Sequence, residues 1–145
     1  MTKIAYISEG CYSNPSTFHR CVMTSEFLTG RGYECNIFPR SSCGSSFPNY
    51  YNLIKTWMRV REEKPDVVIL HRSSCFIDYL MVNKMRGDSK IIFDFDDALF
   101  HSSLKGRIVS YSHLESIIRI SDAIFAGSHY LLDYSSKFNS NVYLI

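Results

Sequence analysis

Long apolar runs are missing from this 145-residue chain. The longest cover only a few residues, far short of a membrane-crossing helix. The opening Met1-Thr2-Lys3 passes straight into Ile4-Ala5-Tyr6-Ile7. That run is too short for the apolar region of a secretory signal, so no signal peptide is expected. Neither sign of charge is in large excess: 16 Lys plus Arg against 14 Asp plus Glu leave +2. Such a balance gives no electrostatic footing for nucleic-acid binding, so no nucleic-acid partner is expected. Proline is scarce, at 4 residues, while aromatics reach 14%. Together these exclude a disordered or low-complexity chain. The five cysteines, Cys11, Cys21, Cys35, Cys43 and Cys75, form no C-x-x-C pair and are odd in number. A disulfide scaffold is therefore not expected, and reduced thiols point to a cytoplasmic protein. His19 and His71 are present, but no ligand spacing supports a metal site.

What is present suits one globular domain over residues 1–145, with 46% hydrophobic residues to build a core. Short β-type runs alternate with longer amphipathic segments. Strands are predicted at Lys3–Ile7, Cys35–Phe38, Val67–Leu70, Ile91–Phe93, Ala123–Ala126 and Val142–Ile145. A helix capped by Ser16 or Thr17 carries Phe18, Cys21, Val22, Ser25 and Leu28 at helical spacing and stops at Gly30 and Gly32. Another begins at Tyr50, with Leu53, Ile54, Trp57, Met58 and the stem of Arg61 on its apolar face, and ends at Lys64-Pro65-Asp66. Further helices are predicted over 76–86, over about 106–120, and after a Ser128 cap. The alternation implies a Rossmann-like, doubly wound α/β domain. It has a mostly parallel sheet of about six strands with helices on both faces.

Ligands of such sheets bind beyond the carboxyl ends of the strands. That rule selects four segments. The first loop, Ser8 to Thr17, includes Gly10, Asn14 and Ser16 and opens a helix bearing Arg20. Backbone N–H groups at a helix start attract anions and hydroxyl networks. The loop matches neither a dinucleotide fingerprint nor a Walker A sequence. His71-Arg72 follows the third strand as a cationic pair able to hold phosphate or carboxylate. Gly127 and Ser128 follow the fifth strand. Each has a plainer reading as a capped loop or a solvated strand end.

Asp94-Phe95-Asp96-Asp97 is the most informative string. Three carboxylates at one strand end repel each other, which raises a pKa or recruits cations. Capping a turn needs one Asp, so the crowding points to function. Two chemistries use a D-x-D string after a strand. One is the haloacid-dehalogenase-like phosphatase motif, with Asp94 as nucleophile and Asp96 as acid/base. Ala98 departs from that pattern, and no later acidic pair appears among the remaining residues. The other is the metal-binding string of single-domain sugar transferases.

Taken in order, the segments resemble the N-terminal domain of a GT-B glycosyltransferase, of the family 4/1-like group. The strings that carry the resemblance are Lys3-Ile4-Ala5-Tyr6-Ile7, Phe18-His19-Arg20 leading to Gly30-Arg31-Gly32-Tyr33, and Lys64-Pro65-Asp66 through Arg72. To these are added Lys90 through Phe100, and Ser121-Asp122-Ala123-Ile124-Phe125-Ala126-Gly127-Ser128. The resemblance covers nearly the whole chain. It implies an acceptor-binding half, with the nucleotide-sugar donor held mainly by a second, C-terminal domain or a partner chain. It further implies a glycan or lipid-linked acceptor, no cofactor, no bound metal, and little activity for this half alone. Where relatives carry a His near the transferred sugar, this chain has Asp96 or Asp97, its implied catalytic positions, with His101 close behind. Gly10, Asn14, Ser16, Arg20, His71, Arg72, Asp94, Gly127 and Ser128 are the implied substrate-binding set. A non-catalytic interaction module or a split-enzyme subunit is the alternative. The Tyr50–Arg61 helix carries Lys55, Arg59 and Arg61 beside Trp57 and Met58. It reads either as a peripheral contact at the inner membrane surface or as ordinary packing with Trp57 in the core.

Overall fold

The computed structural model describes residues 1–40, 50–72, 74–98 and 113–145. Six strands form one sheet: β1 (Lys3–Ser8), β2 (Glu34–Pro39), β3 (Val67–His71), β4 (Lys90–Phe95), β5 (Ala123–Ala126) and β6 (Val142–Leu144). Their order is β2-β1-β3-β4-β5-β6, and every neighbouring pair is parallel. The sheet is thus wholly rather than mostly parallel, and the Rossmann-like arrangement stands. Chain order reverses between β1 and β3, which makes their carboxyl ends the switch point where ligands bind in such sheets.

Helical segments join the strands. The first runs from α1 (Pro15–Thr17) through a π-helical stretch (Phe18–Val22) into α2 (Met23–Thr29). Then come α3 (Tyr50–Glu63), α4 (Phe76–Met85), α5 (Leu114–Ile120) and α6 (His129–Ser135). Right-handed crossovers dictate their sides. The chain moves one way across the sheet from β1 to β2 and the other way at every later step. The first segment therefore lies on one face, and α3 to α6 lie on the opposite face. The packing follows. Ala5, Ile7, Val68, Leu70, Ile91 and Phe93 join Trp57, Val82, Ile117 and Leu131 in the larger core. Ile4, Tyr6 and Ile69 meet Cys21 in a smaller one, flanked by Leu28. Among the described residues, helices do occupy both faces, but very unequally.

Several local expectations change. Asn14, not Ser16 or Thr17, caps the first helix: its side chain accepts from the N–H groups of Ser16 and Thr17. Strand β4 extends through Phe95, so Asp94 lies within the strand rather than beyond it. On α3 the buried face is Leu53, Thr56, Trp57 and Val60, while Ile54, Met58 and Arg61 point outward. Trp57 is fully buried, as the packing alternative required. His101 and Cys43, and the expected helix start near residue 106, lie outside the described residues. No helix of the described residues is long and apolar enough to cross a membrane.

A polar network absent from the sequence reading ties β2 to α3 and α4. Asp78 is completely buried. It accepts from Trp57 Nε1 at 3.0 Å and from the Cys75 N–H at 3.0 Å, and it pairs with Arg40 at 3.2 Å. Removing one partner of a buried pair leaves the other charge uncompensated. Asp78→Ala is expected to lower the unfolding free energy by about 3–5 kcal/mol, read as a reduced urea midpoint with unchanged slope.

Candidate functional site

Strand alternation and register build the site. Ser8, His71 and Asp94 stand side by side across β1, β3 and β4. Each is an even step from Tyr6, Ile69 or Ile92, so all three face the side covered by the first helical segment. That segment supplies the opposing groups, Ser16 and Arg20. Arg20 sits in the π-helical stretch, a geometry that recurs at functional sites.

Ser16 links the carboxyl ends of β3 and β4. Its Oγ donates to Asp96 Oδ2 at 2.5 Å and lies 3.0 Å from His71 Nε2. The hydroxyl has one proton, and an ionised carboxylate can only accept. His71 must then donate from Nε2, which leaves Nδ1 as the unprotonated nitrogen. That atom is buried without a hydrogen-bond partner. Burial pushes His71 down to about 4, so the imidazole is neutral at physiological pH. Serine here bridges histidine and aspartate rather than being activated by them. That arrangement differs from a Ser-His-Asp triad, in which the imidazole takes the serine proton.

Asp94 and Asp96 are two residues apart and are driven in opposite directions. Burial pushes the Asp94 carboxyl up to about 7, against the pull of the Arg20 guanidinium and with added repulsion from Asp96. Arg20 reaches Asp94 Oδ1 at 3.2 Å. Asp96 is only partly buried. Burial alone would raise it, but the Ser16 hydroxyl and Arg72 outweigh that effect and hold it below the usual carboxylate range. Because His71 is neutral, the hydroxyl and guanidinium do this rather than an imidazolium.

Arg72 gathers the rest of the rim. Its Nε lies 3.4 Å from Glu9 and 3.5 Å from Asp96, and its terminal nitrogen pairs with Asp97. Its backbone is left-handed at φ 65°, a costly state for a side chain of this size. The Arg72 N–H donates to the Asp94 carbonyl at 2.8 Å, which helps hold that conformation. Asp97 is the most exposed of the three aspartates. Among the described residues, no group of three or more His, Cys, Asp or Glu side chains is placed to hold a metal ion.

The remaining expected positions fall into place unevenly. Gly127 packs against Arg20 and Asp96: a Cβ there would meet the Asp96 Cα at 2.8 Å, besides colliding with the guanidinium. Gly10 is likewise closed in, with a Cβ meeting Asn14 Cβ at 2.8 Å. Asn14 and Ser128 act as helix caps. The structure therefore brings together Ser16, Arg20, His71, Arg72, Asp94, Asp96, Asp97 and Gly127. It leaves Gly10, Asn14 and Ser128 shaping the adjoining loops. Glu9, which sequence reasoning passed over, joins the cluster through Arg72.

Fold and rim define an open parallel α/β domain whose polar groups converge at the switch point. No family model matches the chain, and no curated protein matches it at a significant level. Among solved structures, the chain is similar to an alpha-glucosyltransferase in complex with UDP and a 13-mer DNA containing a central A:G mismatch. The match has a TM-score of 0.66 at 16% identity, covering 99% of this chain and 40% of that one. It shows a shared fold, and this chain spans two-fifths of that chain's length.

Four outcomes follow from this geometry. Asp94 titrates above its unfolded value, so its contribution to stability is complete in acid and is lost as pH rises toward 7. His71, with a depressed value, contributes stability at neutral pH that is lost as pH falls toward 4. Arg20→Met removes the cation that opposes burial, and the Asp94 midpoint should rise above about 7 in a carboxyl-carbon NMR titration. Gly127→Ala forces backbone against side chain and should cost about 1–3 kcal/mol of stability in a urea titration.

Proposed function

We propose that this domain is the acceptor-binding half of a glycosyltransferase. In this reading it moves a sugar from a nucleotide-sugar donor to a glycan or lipid-linked acceptor. The observation that carries the proposal is Asp96, an ionised carboxylate kept at the switch-point rim by Ser16 and Arg72 on a fold shared with a glucosyltransferase. An ionised carboxylate only accepts, so it can hold an acceptor hydroxyl by its proton. In transfer, the hydroxyl oxygen attacks the anomeric carbon, the bond to the nucleoside diphosphate breaks, and Asp96 takes the proton. His71 and Ser16 orient Asp96, and Arg72 keeps it charged. Asp97 stands outside this step as a partner of Arg72. The donor, with UDP as the nucleotide to try first, is assigned to a second domain or partner chain. Transfer by this domain alone is expected to be negligible, because neither substrate is positioned against the other.

Burial and the ion pair with Arg20 count against Asp94 as a phosphatase nucleophile. The outer face of α3 exposes Tyr51, Ile54 and Met58 beside Lys55, and this amphiphilic strip supports peripheral contact with a membrane surface.

Saturation-transfer NMR with simple glycosides tests the reading. Contacts at sugar protons are expected with the wild-type chain, lost in Asp96→Ala and kept in Asp97→Ala. A folded wild-type chain that transfers no saturation to any glycoside overturns it. Once joined to a donor-side domain, Asp96→Asn should slow transfer by about 10²–10⁴-fold.

A further inference from the structure

The unequal cover of the sheet leaves an elongated cavity of about 500 Å³ beside α2 on the thinly covered face. Ile69, Ile92 and Phe125 line it from three adjacent strands. One end carries Arg20 and Asp94, members of the rim described above. Tyr6 also lines it, and its hydroxyl is unusual. The side chain is 1% exposed, yet the oxygen has no hydrogen-bond partner. A buried hydroxyl left unpaired is costly, so this one calls for an acceptor that the described residues do not supply. Burial pushes its pKa up, which keeps it a donor.

Size and lining decide what fits. The volume lies within the range of small-molecule sites, and such sites are apolar with a few convergent polar groups. One turn of an α-helix about 10 Å wide fills roughly 400 Å³ by its own geometry. The cavity is thus of the scale of a small ligand. Register sets Asp94, then Ile92 with Tyr6, then Ile4 on three successive levels of this face, about 13 Å from end to end, a length suited to a narrow chain.

We infer that this cavity binds an amphiphile, with a single alkyl or isoprenoid chain along the sheet and an acceptor-oxygen head between Tyr6 and Arg20. The inference deepens the acceptor reading and rests on it in one respect: Arg20 and Gly127 connect the head position to Asp96. The tail of a lipid-linked acceptor would then lie on the sheet while its hydroxyl reaches the rim.

The test is calorimetric titration of the chain with hexyl, octyl and decyl glucosides, each kept below its micelle concentration. Affinity should rise about fourfold for each added methylene until the cavity is full. Ile92→Trp, which fills the cavity, should abolish binding, and Tyr6→Phe should weaken it about fivefold or more. Amide shifts in the wild-type NMR spectrum should centre on Ile69, Ile92 and Phe125, a readout that needs no variant to fold. Binding only above the micelle concentration overturns the inference, as do shifts centred elsewhere. So does a light-scattering change from dimer to monomer on titration, which would mark the face as covered by a second copy. Alkyl chains that bind while sugar protons receive no saturation would keep the cavity and sink the acceptor reading. Sugar contacts without any dependence on chain length would do the reverse.

Discussion

Right-handed crossover is the constraint from which the rest of this molecule follows. A parallel sheet ordered β2-β1-β3-β4-β5-β6 reverses direction once, after β2. That single reversal separates the first helical segment from all the others and opens the crevice between β1 and β3. It also brings Ser16 and Arg20 above strand ends to which they are not sequence neighbours. The same reversal leaves the sheet well covered on one side and thinly covered on the other. Rim and cavity are thus two results of one topological fact.

Within the rim, electrostatics is divided by burial. Asp94 points inward from β4 and is nearly closed off from solvent, so desolvation dominates and Arg20 only partly offsets it. Asp96 keeps some contact with water and has both a hydroxyl donor and a guanidinium, so its charged form prevails. Two like residues, one turn of the pleat apart, become a largely buried ion-pair member and an ionised acceptor. Environments that push neighbouring groups apart in this way are typical of sites that must hold and move protons.

Much of the architecture was legible beforehand. All six strands fell close to their expected places, because continuous apolar runs such as Val67 to Leu70 have few other destinations. The acidic string stood out as a candidate site because three carboxylates in four residues repel one another. Partners were not legible. Ser16 looked like a helix cap, and Asn14 took that role, freeing the hydroxyl for Asp96. On α3, Ile54 and Met58 fit a helical face as well as Thr56 and Val60 do, and only packing decided between them. The Arg40–Asp78–Trp57 network had no local signature at all.

Local chemistry sets what the chain settles unaided: where strands and helices begin, which turns need glycine, and which residue types gather near strand ends. Those choices depend on neighbours within a few positions, and a linear pattern records them. Ser16 and Asp96 are 80 positions apart, and Arg20 and Asp94 are 74 apart. Their pairing, the opposite titration of the two aspartates and the half-open sheet face exist only once the crossovers have fixed which side of the sheet each segment takes. Burial and long-range pairing are properties of the folded layer, and no stretch of sequence carries them by itself.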